Sequence, residues 1–162
     1  MNVTKIHEKL KPLSWIIGEW RSVTAIVNYP TMKHPVSYTE KLSFVSHQGR
    51  PFLNYQSLTW NDLDNSPMHS ESGFLHIDDD ATSVALILAQ AFGVVTIEEG
   101  EVKDNTINTT SSHVGHMRLV KHKVVSITRS YRLNEKGQLE YWSMLGTPRT
   151  PLTEHIFALY EK

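Results

Sequence analysis

From residue 18 onward the sequence keeps a period of two, and that period sets the class of fold. Val36, Tyr38, Glu40, Leu42 and Phe44 share one face of an extended segment, and Ser37, Thr39, Lys41 and Ser43 share the other. This is the pattern of a half-buried antiparallel strand with a single acid on its apolar side. Comparable segments run over 51–60, 68–77, 83–89, 94–99, 106–111, 124–133, 139–145 and 155–160. Turn chemistry separates them, in Gln48-Gly49-Arg50-Pro51, in the stretch from Asp62 to Pro67, in Asp78-Asp79-Asp80 and in Asn134-Glu135-Lys136-Gly137. With the segment after Gly18, that makes about ten strands at the spacing of all-β proteins.

Short turns from each strand to the next favour an up-and-down meander. Closing such a meander removes both unpaired edges and leaves an interior able to hold one ligand. The expectation is therefore a closed antiparallel barrel, lipocalin-like, rather than a sandwich. Ile6 to Leu13 has helical tendency, with Thr4 as N-cap and Glu8 in the first turn, and Pro12 keeps it short. No linker, repeat or low-complexity tract interrupts the chain, so residues 1–162 read as one domain.

Composition narrows the chemistry. Sixteen Lys plus Arg face seventeen Asp plus Glu, a net charge of −1. Such a balance offers no long-range field to hold phosphate backbones or anionic lipid, so neither nucleic acid nor membrane is an expected partner. No apolar run approaches the roughly 20 residues that cross a bilayer. The opening Met1-Asn2-Val3-Thr4-Lys5 has no signal-peptide core, and a cytoplasmic location is expected. Cysteine is absent, which removes disulfides, thiolate nucleophiles, iron–sulfur clusters and Cys-ligated zinc or haem. Any metal chemistry falls to His, Asp, Glu, Tyr or Met.

Nine histidines are then the residues to interrogate. His113, His116 and His122 follow a Thr-Ser run and flank Gly115, and read as solvated positions on a mobile loop. The basic group Arg118, Lys121, His122 and Lys123 lacks interleaved aromatics and reads as a solvated turn. His69 and Glu71 have equal parity and point together, whereas His76 points the other way. One strand therefore cannot supply a two-histidine, one-carboxylate metal site without a bulge. His155 opens the apolar segment His155-Ile156-Phe157-Ala158-Leu159-Tyr160, where it shares a face with Phe157 and Leu159. A histidine there is ordinarily a partly buried structural residue, yet a neutral imidazole on an apolar wall also suits an axial haem ligand. No Gly-x-Ser-x-Gly elbow and no phosphate-cradling glycine loop is present.

Several segments in order resemble the nitrobindin family, haem-binding β-barrels similar in shape to fatty-acid-binding proteins. They are the opening Leu13-Ser14-Trp15-Ile16-Ile17-Gly18-Glu19-Trp20, then Tyr29-Pro30-Thr31, Pro51-Phe52-Leu53-Asn54-Tyr55 and Pro67-Met68-His69-Ser70-Glu71-Ser72-Gly73-Phe74. Arg129-Ser130-Tyr131 and the ending Pro151-Leu152-Thr153-Glu154-His155 complete the set. The resemblance implies an antiparallel barrel holding haem b near one open end, with His155 as proximal iron ligand. It places Met68 and His69 on the distal side and Gln90 and Met144 as pocket neighbours. It also implies binding of nitric oxide and isomerisation of peroxynitrite to nitrate. That reaction consumes no net proton, so no catalytic group beyond the haem iron is required. The chain departs from the family pattern after the opening tryptophan, where Trp20-Arg21-Ser22-Val23-Thr24-Ala25 has none of the usual alternating glycines. That departure, with the same architecture, motivates the alternative of a haem-free carrier of fatty acid or another apolar ligand. An inward pair of arginines would mark such a carrier, but Arg129 and Arg132 have opposite parity.

Overall fold

The computed structural model describes residues 5–47 and 49–162. The proposed cap Thr4 and the turn residue Gln48 lie outside the described residues. A 3₁₀ helix (Glu8–Leu13) precedes ten strands: β1 (Gly18–Val27), β2 (Val36–Val45), β3 (Phe52–Asn61), β4 (Pro67–Ile77) and β5 (Ser83–Gln90), then β6 (Val94–Lys103), β7 (Thr106–His116), β8 (Ser126–Leu133), β9 (Leu139–Thr147) and β10 (Thr150–Glu161). Every strand pairs antiparallel with its neighbours in sequence, and β1 pairs with β10, so the sheet closes as a barrel. The alternation read from the sequence is the inward–outward alternation of that barrel. In β2, for example, Tyr38, Glu40, Leu42 and Phe44 are buried.

The N-terminal segment plugs one end. Leu10, Leu13 and Ile16 are fully buried against Leu42, Phe44, Leu53, Leu75 and Leu86. The Trp20 indole N–H donates to the Ile16 carbonyl at 2.8 Å and locks the plug to β1. The cap of the 3₁₀ helix is His7, whose Nδ1 accepts from the Lys9 N–H at 3.1 Å. Loops 28–35, 62–66, 91–93, 117–125 and 148–149 gather at the other end, which stays open.

Three of the sheet's register shifts alter the strand pattern expected from the sequence. β1 shifts register between Ser22 and Thr24 against β10, so it bends by a bulge at Val23 where glycines would otherwise permit the bend. β7 runs on to His116, and the loop expected there is strand. A register shift opposite Ile97 and Glu98 accommodates the extra residue, and the Ser112 hydroxyl donates to the Ile97 carbonyl at 3.3 Å. His116 is also fixed, since its Nε2 accepts from the Val124 N–H at 2.9 Å. The third shift, in β10 between Glu154 and Ile156, falls at the functional site. Gly73 on β4 pairs with β5, and a Cβ there would sit 1.8 Å from the Ile87 carbonyl oxygen. Only glycine allows that approach.

Candidate functional site

Residues of β1, β2, β3, β4, β5, β8, β9 and β10 surround a cavity of about 240 Å³ that opens at the unplugged end of the barrel. Val27, Met68, Phe92, Val124, Leu145 and Ile156 give it apolar walls, and Glu40, Glu71 and Arg129 lie deeper. His69, Gln90 and His155 also line it. Met144 does not: it has the opposite parity to Ser143 and Leu145, which do. The expectation of Met144 as a pocket neighbour is corrected by that alternation.

His155 reaches the cavity by a bulge. Phe157 turns outward and packs on Trp142, with ring centres 5.6 Å apart, while Ala158 and Tyr160 are buried. His155 therefore does not share a functional face with Phe157. The register shift at this point brings His155 into the cavity wall alongside Ile156. Its Nδ1 lies 3.0 Å from the Asn28 carbonyl oxygen. A carbonyl only accepts, so Nδ1 carries the hydrogen and the Nε2 lone pair is left unengaged. Burial pulls the imidazole below its ordinary range, and the bond to Asn28 only partly opposes that shift, so the ring is neutral. Tyr29 packs edge-on against it at 5.3 Å, held by its hydroxyl donating to the Leu145 carbonyl at 2.9 Å.

Below the cavity lies a buried charge network. Arg129 Nη1 and Nη2 donate to Glu71 at 2.6 and 3.1 Å, and its Nε donates to Glu98 at 2.9 Å. All three side chains are at most 5% exposed. Burial alone would raise Glu71, but the Arg129 guanidinium and a hydrogen bond from His69 outweigh it and hold the carboxyl far below the usual range. Burial wins at Glu98, which is raised despite Arg129. Glu40 is also raised by burial; it has no cation within ion-pair distance among the described residues and accepts from Ser57 Oγ at 2.6 Å and Tyr160 OH at 2.7 Å. His69 bridges this network to the mouth, with Nε2 3.1 Å from Glu71 and its ring 5.0 Å from Phe92.

Residues 9–162 match the family described as THAP4-like, heme-binding beta-barrel domain. The human protein named peroxynitrite isomerase THAP4 is 36% identical over 98% of this chain, which spans only 27% of that protein. An Arabidopsis thaliana protein named peroxynitrite isomerase Rv2717c is 33% identical over 97% of this chain and 90% of its own length. The crystal structure of Rv2717c from M. tuberculosis superposes with a TM-score of 0.85 at 30% identity, covering 98% of this chain and 99% of that one. The chain belongs to the nitrobindin family. The cofactor of nitrobindins is haem.

The cavity fits that group on its own chemistry. A noncovalent haem needs a neutral imidazole nitrogen, apolar walls and an opening where its carboxylates reach water. His155 supplies the first, with the tautomer fixed by Asn28. The Gln90 Nε2 is buried with no hydrogen-bond partner among the described residues, a free donor on β5, across the barrel from β10 and His155. Three site residues escaped the sequence reading. Glu98 has the parity of Val94 and Thr96 and was legible as a buried acid. Arg129 stands in the sequence reading as part of the Arg129-Ser130-Tyr131 segment and as half of an arginine pair, without a role in the site. Asn28 acts through its main chain, which no side-chain pattern reveals.

Proposed function

We propose that this nitrobindin binds haem b through His155, binds nitric oxide, and isomerises peroxynitrite to nitrate. The observation that carries this reading is His155 itself, a neutral imidazole with Nδ1–H pinned by the Asn28 carbonyl on the wall of an open apolar cavity. Relatives over nearly the whole chain are named peroxynitrite isomerase, and this supports the choice of reaction.

When bound, ferric haem supplies an open Lewis-acidic coordination position that weakens the O–O bond of a peroxynitrite anion. The chain does the rest. His155 holds and orients the cofactor, and Tyr29 and Asn28 keep its ring from rotating. Met68, Phe92, Val124 and Leu145 would give the bound group its apolar surroundings near the mouth. His69, tied to Glu71 and packed on Phe92, would narrow the mouth beside the bound group. Gln90, whose N–H₂ has no partner among the described residues, would offer a donor to an anionic ligand in the cavity. The rearrangement needs no proton, and no side chain is asked to give one.

The fatty-acid reading loses its anchor. Arg129 is the single arginine facing the interior among the described residues, and Glu71 and Glu98 already occupy its guanidinium. Arg132 lies outside against Glu140. Stopped-flow decay of peroxynitrite tests the proposal. The haemin-loaded protein is expected to accelerate decay and raise the nitrate yield in proportion to its concentration. A rate equal to that of free haemin, or to that of the H155L variant, overturns it.

A further inference from the structure

The rim of the open end is charged, and its charge is unevenly placed. The five loops there carry Lys33, Arg118, Lys121, Lys123 and Arg149 against Asp62 and Asp64, a net of +3 on a chain whose total is −1. All five cations are exposed, and none forms an ion pair among the described residues. The two acids sit on one loop, β3–β4, where Thr39 and Ser66 already donate to them. The cations occupy the β1–β2, β7–β8 and β9–β10 loops. In the closed sheet those loops cap the consecutive strands β7, β8, β9, β10 and β1 with the first turn of β2. That arc includes the wall carrying His155, and Val124 of the β7–β8 loop lines the cavity directly.

We propose that this arc is an electrostatic funnel that draws small anions into the cavity and gives neutral ligands no advantage. The inference rests on the reading of the cavity as the haem and peroxynitrite site, and adds the substrate's charge as what the rim selects. Charges around an opening with low-dielectric walls focus the field into it and raise the association rate of an oppositely charged ligand by ten-fold or more. Dispersed exposed cations act at this range because the screening length is about 10 Å at 0.1 M salt. No specific contact is needed, so the effect appears in the on-rate and its salt dependence while the dissociation rate stays put. A net charge near zero hides this polarity, which appears only once the topology sorts the loops by barrel end.

Stopped-flow association of azide, an anion, and nitric oxide, a neutral molecule, with the haemin-loaded protein tests this. Between about 10 mM and 0.5 M salt the azide on-rate is expected to fall about ten-fold, with nitric oxide changing less than two-fold. The variant R118E/K121E/K123E takes the rim from +3 to −3 on exposed loop positions, and its azide rate is expected to be slower at low salt and to rise with salt. It should then converge on the unmodified protein's rate at high salt. An azide rate indifferent to salt, or nitric oxide slowing equally, overturns the funnel while leaving haem binding intact. Should the protein take up no haemin, the reading of the site fails separately. The funnel is then decided on the apo-protein by anilinonaphthalenesulfonate against its uncharged parent phenylnaphthylamine. A salt-dependent on-rate for the sulfonate alone supports it, and equal dependence for both overturns it.

Discussion

Replacing Arg129 with methionine removes the one cation that holds two buried carboxylates. The loss is of its four hydrogen bonds to Glu71 and Glu98 and the bond to Tyr141 at 3.2 Å. Breaking one side of a buried ion pair costs about 3–5 kcal/mol, since the surviving charge stays desolvated. In a chain of this length that lowers Tm by roughly 6–20 °C. The cost depends on pH in a defined direction. In the unmodified protein Glu71 is held below its unfolded value, so its stabilisation is present above the ordinary carboxylate range and is lost as pH falls through the folded value. In the variant, burial without a cation raises Glu71 and Glu98, and protonation relieves them as pH falls. The gap between the two proteins therefore narrows from pH 7 towards pH 4. Urea denaturation at a series of pH values measures it. Adding E71Q and E98Q to R129M removes the stranded charges and is expected to recover most of the loss. A deficit under about 1 kcal/mol at pH 7, or one that does not change with pH, refutes the account of the network.

The other buried glutamate behaves in the opposite sense. Glu40 is raised, so its ionisation opposes folding as pH climbs above the ordinary carboxylate range. E40Q should therefore leave the protein as stable or more stable at pH 7.5, whereas E71Q should destabilise it; chemical denaturation separates the two. Burial lowers His155, so protons compete for its Nε2 only below the ordinary histidine range. Soret absorbance is expected to hold steady above about pH 6.5 and to fall as pH drops below it. Gly73→Ala drives a methyl group into the Ile87 carbonyl. It should cost more than about 2 kcal/mol by thermal melting, a large loss for the smallest possible side-chain addition.

The barrel was legible because the side-chain period of a strand is a local property, and turn residues mark its ends. Closure followed from the succession of short connections. The site was legible only in part. Inward placement of Glu40 came straight from parity, which also put Glu71 and His69 on one face. Parity failed at His155, which shares a periodicity class with Phe157 and yet faces the cavity, because a bulge inserts a residue that alternation cannot foresee. Composition misled at β7, where a bulge lets a Ser- and His-rich segment remain in the ladder up to His116. The missing glycines of β1 changed the means of bending and left the bend in place. The partners of Arg129 lie 58 and 31 residues away in sequence, and such pairings emerge only from the folded topology.

The central claim is that His155 holds haem on the wall of this cavity. Titrating the purified apo-protein with haemin, alongside His155→Leu, tests it most directly. The account predicts a saturating one-to-one Soret shift that the variant lacks while its far-ultraviolet circular dichroism matches that of the unmodified barrel. A Soret shift of equal amplitude and position in the folded variant would contradict it.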